Sequence, residues 1–452
     1  MEDADNRDKR LELPAAMTPP ASVEESTEVV PLWRGQAELR QESRSQKGEA
    51  SVFVDTLPRP IIRFEFQAAS ESGAASGIEQ FRQWFEGGGL NDGELDCGSQ
   101  LGKLAVHPTN SAVGKVSGTV GGWAAKPDEE FTSAKFLVIN GPSARGNAIT
   151  RGRAAFVGRL RCVTEGGMTV TIDGLSPEKQ SARSVFGFTH VAEIRFDEPR
   201  PIDQFDDVAE ILFKTLSLMR VRWVGLVGPW LYIDDALHTI SAQVTKTTPN
   251  GSSTTWCHDA VLGVFEELFT CLQTAYQDRE RGQSLQTGLH WLIESQQCAG
   301  GVEGSLILQQ AALEALAWFV IVQDRKLCSA DGFEKLPASD KIRWLTSLYL
   351  IPTVIPAHFA ELVSYAKAYN LNEDLPVVLV DARNALIHGS PKKVERLFAR
   401  HRGDDERTQL WYLIGGLLEQ VVLAIAGYRG KILRRDTDAV LAVSAVKQVP
   451  WA

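Results

Sequence analysis

Arg383, Asn384 and His388 stand within six residues of each other, in Asp381-Ala382-Arg383-Asn384-Ala385-Leu386-Ile387-His388-Gly389, inside an otherwise apolar run. As a helix, the run separates Arg383 and His388 by about 140° of azimuth and somewhat more than one turn. Asn384 and His388, four apart, share a face. Gly389, Ser390 and Pro391 then end the helix, which puts the imidazole at its C-terminus, where a cation is favoured. These side chains are suited to cutting RNA without a metal. That reaction needs a base for the 2′-hydroxyl, an acid for the leaving 5′-oxygen and a cation for the charged phosphorane. An imidazole can both take and give a proton near neutral pH. A guanidinium is permanently charged and forked toward phosphate oxygens. Asn384 can orient the imidazole or touch phosphate.

A basic run follows. Between Arg383 and Arg402 six Lys/Arg face one acid, Glu395, in a chain whose net charge is −10. Lys392, Arg396 and Arg400 are four apart and line one helix face, with Lys393 beside them, as a track for RNA phosphates. A solvated basic face is the bland reading of the same run.

The motif resembles the R-N-x(3)-H form found in HEPN domains, small helical bundles of many prokaryotic defence and toxin ribonucleases. Upstream, Glu303 to Leu316 is similar to the first helix of that family, with its Ala-Leu-Glu segment at Ala312-Leu313-Glu314. The spacer from Leu345 to Asn370 resembles the ApeA-type anti-phage branch. The resemblance spans residues 300 to 430. It implies an endoribonuclease that leaves a 2′,3′-cyclic phosphate and a 5′-hydroxyl, with two motif histidines brought to one cleft by a homodimer of the helical domain. It also implies a role for Glu314, which we expect to orient Arg383, because a buried carboxylate needs a partner. No cofactor is implied.

Length and composition bound the rest. A chain of 452 residues exceeds one ordinary core, so two or three domains are expected. The apolar fraction of 44% and charged fraction of 23% are those of a globular protein in water. No apolar run near twenty residues stands out, so no membrane span is expected, and the charged start, Met1 to Arg10, is not a secretory signal. The acidic balance confines any RNA site to a local basic patch. Cys97, Cys162, Cys257, Cys271, Cys298 and Cys328 form no C-x-x-C pair and read as buried thiols of a cytoplasmic protein. Asp203, Asp206 and Asp207 read as helix-start charges rather than metal ligands, so no metal is expected.

The elements that must position the motif follow from periodicity. Residues 1–48 read as a flexible segment, apart from one short strand or turn near Trp33. Residues 49–245 alternate with period two and form about eight strands, an antiparallel β-sandwich or barrel, followed by a helix over 205–219 and a Trp-bearing hairpin over 221–233. This region shows no catalytic constellation and reads as a sensor or regulatory module for a phage-derived or cellular trigger. Residues 255–430 read as an all-α bundle and 431–452 as a tail. The fold class is α+β. Two functions from different classes remain: a metal-independent ribonuclease effector of anti-phage (abortive infection) defence, and a non-catalytic adaptor whose bundle serves dimerisation.

Overall fold

The structure, a computed structural model, describes residues 13–23, 29–41, 44–69, 92–112, 114–123, 128–152, 154–175, 185–251, 255–259, 261–298, 300–388, 405–437 and 443–452. The chain is α+β and divides into two compact units. The first takes in Met1–Gly141, Arg145–Phe213 and Val224–Gly251; the second Pro142–Ala144, Lys214–Trp223 and Ser252–Ala452.

In the first unit, β1 (Val29–Gln41), β2 (Arg44–Asp55), β3 (Ile61–Ala68), β4 (Gly93–Asp96), β5 (Lys103–Ala112) and β6 (Lys115–Trp123) close an antiparallel barrel in the order β1-β2-β3-β6-β5-β4. Alternation puts Ile62, Phe64 and Phe66 of β3 inside and leaves Glu65 and Gln67 outside. A seven-stranded sheet follows: β7 (Glu130–Ile139), β8 (Asn147–Arg151), β9 (Ala154–Val163), β10 (Met168–Gly174), β11 (Phe188–Pro201), β12 (Gly225–Ile233) and β13 (Ala236–Ile240), in the order β13-β12-β7-β11-β10-β9-β8. Barrel and sheet share one core, where Leu137, Val191 and Trp230 join Phe64, Phe66 and Leu104.

Two expectations for this region are corrected. Residues 29–41 and 44–48 are not part of a flexible segment. They supply β1 and the start of β2, because Val30, Leu32, Ala37 and Leu39 fill the barrel while the intervening charges face water. The antiparallel barrel is as expected, and a seven-stranded sheet accompanies it. The hairpin is built from β12 and β13, turning at Asp234 and Asp235, both at positive φ (47° and 64°), the conformation tight hairpin turns require. The helix expected over 205–219 is α1 (Ile202–Arg220), with Asp203 in its first turn.

The second unit holds α2 (Val264–Gln277), α3 (Arg279–Gln296), α4 (Gly301–Trp318), α5 (Ala330–Glu334), α6 (Ala338–Leu348), α7 (Ala360–Ala368), α8 (Leu375–His388) and α9 (Asp405–Ala426). Asp278 caps α3, accepting from the amides of Glu280 and Arg281. A π-helical turn, Phe319–Asp324, extends α4, and Asp324 pairs with Arg281 at 3.0 Å. Gly301–Asp324 and Glu406–Ala426 are, contrary to expectation, long and apolar enough to cross a membrane. Their most apolar windows are 61% and 83% buried inside the protein, so both serve as core helices. The six cysteines are free thiols; Cys97, Cys162 and Cys257 are buried and the other three half-buried. Burial pushes the Cys97 and Cys257 thiols up to about 12.

The chain after α9 folds back as β14 (Lys431–Leu433) and β15 (Val446–Gln448), and Arg435 enters the bundle. Its guanidinium meets the Glu419 carboxylate twice, Nε to Oε2 at 3.0 Å and Nη2 to Oε1 at 2.5 Å, with both side chains almost fully buried. Gly416 makes room: a Cβ there would lie 2.9 Å from Arg435 Cδ. Burial pushes the Glu419 carboxyl up, and Arg435 opposes that shift. Truncating one partner strands the other charge, so Arg435→Ala is expected to cost about 3–5 kcal/mol in urea unfolding. An Arg435→Met, Glu419→Leu double variant should recover most of that loss.

Candidate functional site

The candidate site lies on α8. Asp374 precedes the helix and its carbonyl accepts from Val378 N–H; Pro376, in the first turn, has no N–H and so needs no acceptor. Leu375, Val378, Leu379, Ala382 and Ala385 form the buried face. This stripe packs on α4, α6 and α9. Arg343 of α6 fixes the start of α8 by pairing with both Asp340 and Asp374, and the latter carboxylate holds the guanidinium more firmly in its charged form. A short extended stretch adds to this, with Leu375 N–H donating to Thr353 O at 2.9 Å. At mid-helix, Tyr365 Oη of α7 donates to Asp381 Oδ2 at 3.3 Å.

Those anchors leave the C-terminal half of α8 to carry the motif. Arg383 is half-buried and donates through Nη1 to Asn384 Oδ1 at 3.1 Å. Among the described residues it makes no ion pair with a carboxylate, since Asp381 is taken by Tyr365. The Asn384 side-chain oxygen is engaged by this bond. His388 is the last residue of the helix and is exposed, as is its neighbour Ile387. Solvent reaches it. Arg383 and His388 do not share a stripe; the long guanidinium side chain has to swing across Asn384 to approach the imidazole.

Among the described residues no hydrogen bond or ion pair joins Glu314 to Arg383. Glu314 is half-buried on α4 and accepts from Gln310 Nε2 at 2.7 Å, so the orienting role expected for it is corrected. The partner that a partly buried carboxylate requires comes from one turn earlier in its own helix. Lys392, Lys393, Arg396 and Arg400, the expected RNA track, lie outside the described residues, as does the Gly389-Ser390-Pro391 stop. The sequence reading missed Arg343 and Tyr365, which hold α8. Their signals, an Arg beside Asp340 and a Tyr in the preceding helix, point to α8 only once the helices are packed.

Arg383→Ala is expected to change unfolding free energy by no more than about 1 kcal/mol, because no buried carboxylate is left unpaired. A loss as large as that of a broken buried ion pair, measured by urea titration, would make Arg383 a structural residue.

Residues 278–444 match the YopA C-terminal domain family. Over 338 residues the chain is 23% identical to the SPbeta prophage-derived uncharacterized protein YopA of Bacillus subtilis (strain 168), a similarity covering 70% of this chain and 71% of that protein. No solved structure matches the chain. By sequence, then, its helical unit is similar to the C-terminal domain of a protein found in a prophage.

Proposed function

We propose that the chain is a metal-independent endoribonuclease of the HEPN type, acting in the cytoplasm as an effector of anti-phage (abortive infection) defence, with its β-rich unit sensing or regulating. The observation that carries the reading is the state of α8: a half-buried Arg383 steadied by Asn384 and not neutralised by a carboxylate among the described residues, on the same helix as an exposed His388. The prophage origin of a similar protein is consistent with a place in the contest between phages and their hosts.

In this mechanism His388 removes the proton from a ribose 2′-hydroxyl. The oxygen attacks the adjacent phosphorus, and the bond to the 5′-oxygen breaks. Arg383 balances the charge that builds on the non-bridging oxygens, with Asn384 holding it. The leaving 5′-oxygen takes a proton from the His388 of a second protomer, since each chain offers one motif imidazole. A homodimer through the helical unit supplies both. The products are a 2′,3′-cyclic phosphate and a 5′-hydroxyl. The basic residues Lys392, Lys393, Arg396 and Arg400 follow the motif directly and would guide the RNA backbone.

Induced expression of wild type, Arg383→Ala and His388→Ala, with and without phage, tests this. Growth arrest with RNA breakdown is expected for wild type only, and each variant should lose at least about 100-fold in cleavage. If all three proteins accumulate stably and leave RNA equally intact in both conditions, the bundle is a dimerisation adaptor that cuts nothing.

A further inference from the structure

Residues Pro14–Ala16 meet the outer edge of β8 at Thr150, and the main chain continues at Met17 to a side chain of β10. Thr150 of β8 donates its N–H to Pro14 O at 2.9 Å and accepts from Ala16 N–H at 2.7 Å, a parallel bridge centred on Ala15. Arg159 of β9 donates through Nη2 to Ala15 O at 2.9 Å. Asp173 of β10 accepts from Met17 N–H through Oδ2 at 2.7 Å. Arg159 and Asp173 are cross-strand partners and hold each other twice at 2.7 Å, Nε to Oδ1 and Nη2 to Oδ2. The Asp173 side chain has no exposure at all, and that of Arg159 is 16% exposed. Beyond this, Met17, Ala21 and Val23 pack against the core of the first unit.

A fully buried carboxylate that receives a main-chain N–H, fixed beside a guanidinium that gives to a main-chain carbonyl, reads a peptide by its backbone. Such recognition is indifferent to most side chains, as in strand addition generally, and takes its selectivity from alternate pockets. Here the selective position is that of Met17, which packs against the core of the first unit. Pro14 and Ala15 point outward and are exposed, so the contact asks nothing of them but extended geometry. The contact is also short. One bridged residue on the edge compares with five paired residues between β8 and β9.

We propose that the outer edge of β8, backed by Arg159 and Asp173, is a binding site for an extended peptide strand. The chain's own Pro14–Met17 occupies it, and a segment of a partner protein with the same backbone geometry and an unbranched apolar side chain at the Met17 position can replace them. The site gives the first unit a port for a protein signal, and it stands whether or not the second unit cuts RNA.

The test uses the full chain with a protease site inserted between Val23 and Val29. After cleavage, excess fluorescent peptide with the sequence of residues 11–23 is added, and uptake is followed by fluorescence anisotropy. One peptide should bind per chain. N-methylation of its Met17 amide, which removes the donor to Asp173, should weaken binding at least tenfold, and Arg159→Met in the protein should do the same. Should Arg159→Met fail to fold, the N-methylated peptide on the wild-type chain still decides. No uptake by a cleaved chain with an unchanged melting curve overturns the proposal, as does uptake equal for the plain and N-methylated peptides.

Discussion

Everything in the helical unit is built around one ion pair that water does not reach. Glu419 sits in the middle of α9, the Arg435 guanidinium closes on it from the segment after that helix, and a backbone hydrogen bond from Trp256 reaches the same carboxylate. Three distant pieces of chain are thereby fixed to one point. Trp256 is held in turn by Leu218 O at 2.9 Å and stacks edge-on against Tyr428, while its carbonyl accepts from Leu433 N–H. Gly415 and Gly416 are the cost of admitting an arginine into a helix interface, for any side chain at either would collide with Arg435. Buried pairs of this kind add little net stability over an apolar filling but tolerate only one arrangement. α9 packs on α3, α4 and α8, so fixing α9 fixes the helix that carries the candidate site.

That helix is treated unequally along its length. Its start is gripped by Arg343 at Asp374 and by the extended pairing at Thr353, and its middle by Tyr365 at Asp381. Its end, with Ile387 and His388, is exposed. A rigid base with a reachable tip suits chemistry on a large polymer, because the reacting group is positioned by packing and the substrate needs no closed pocket. The electrostatics agree. Among the described residues, Asp374 pairs with Arg343, Asp381 with Tyr365 and Glu314 with Gln310, and none of these carboxylates pairs with Arg383.

Much of this was legible in the residues alone. Long apolar helices, the motif helix to within one residue, and the period-two strands after Ser51 follow from local pattern, since burial on one face imposes it. Other features were not local. β1 was hidden because its barrel-facing Val30, Leu32, Ala37 and Leu39 are diluted by Arg34, Glu38 and Arg40, and only closure against β4 reveals which side is inside. The separation of barrel from sheet depends on β3 pairing with β6 and β7 with β12, both across intervening strands. At the site, residue types announced Arg383, Asn384 and His388. Glu314 was assigned by resemblance, and its partner came instead from Gln310 in the preceding turn.

The central claim is that Arg383 and His388 perform metal-free transesterification. The most direct measurement is cleavage of a short RNA by the purified chain in EDTA, with product ends read by mass spectrometry. A matched RNA carries one 2′-deoxy sugar at the scissile position. The account predicts 2′,3′-cyclic phosphate and 5′-hydroxyl ends, and no cut at the deoxy position. Cleavage that needs a divalent ion, or that proceeds at the deoxy position, would contradict it.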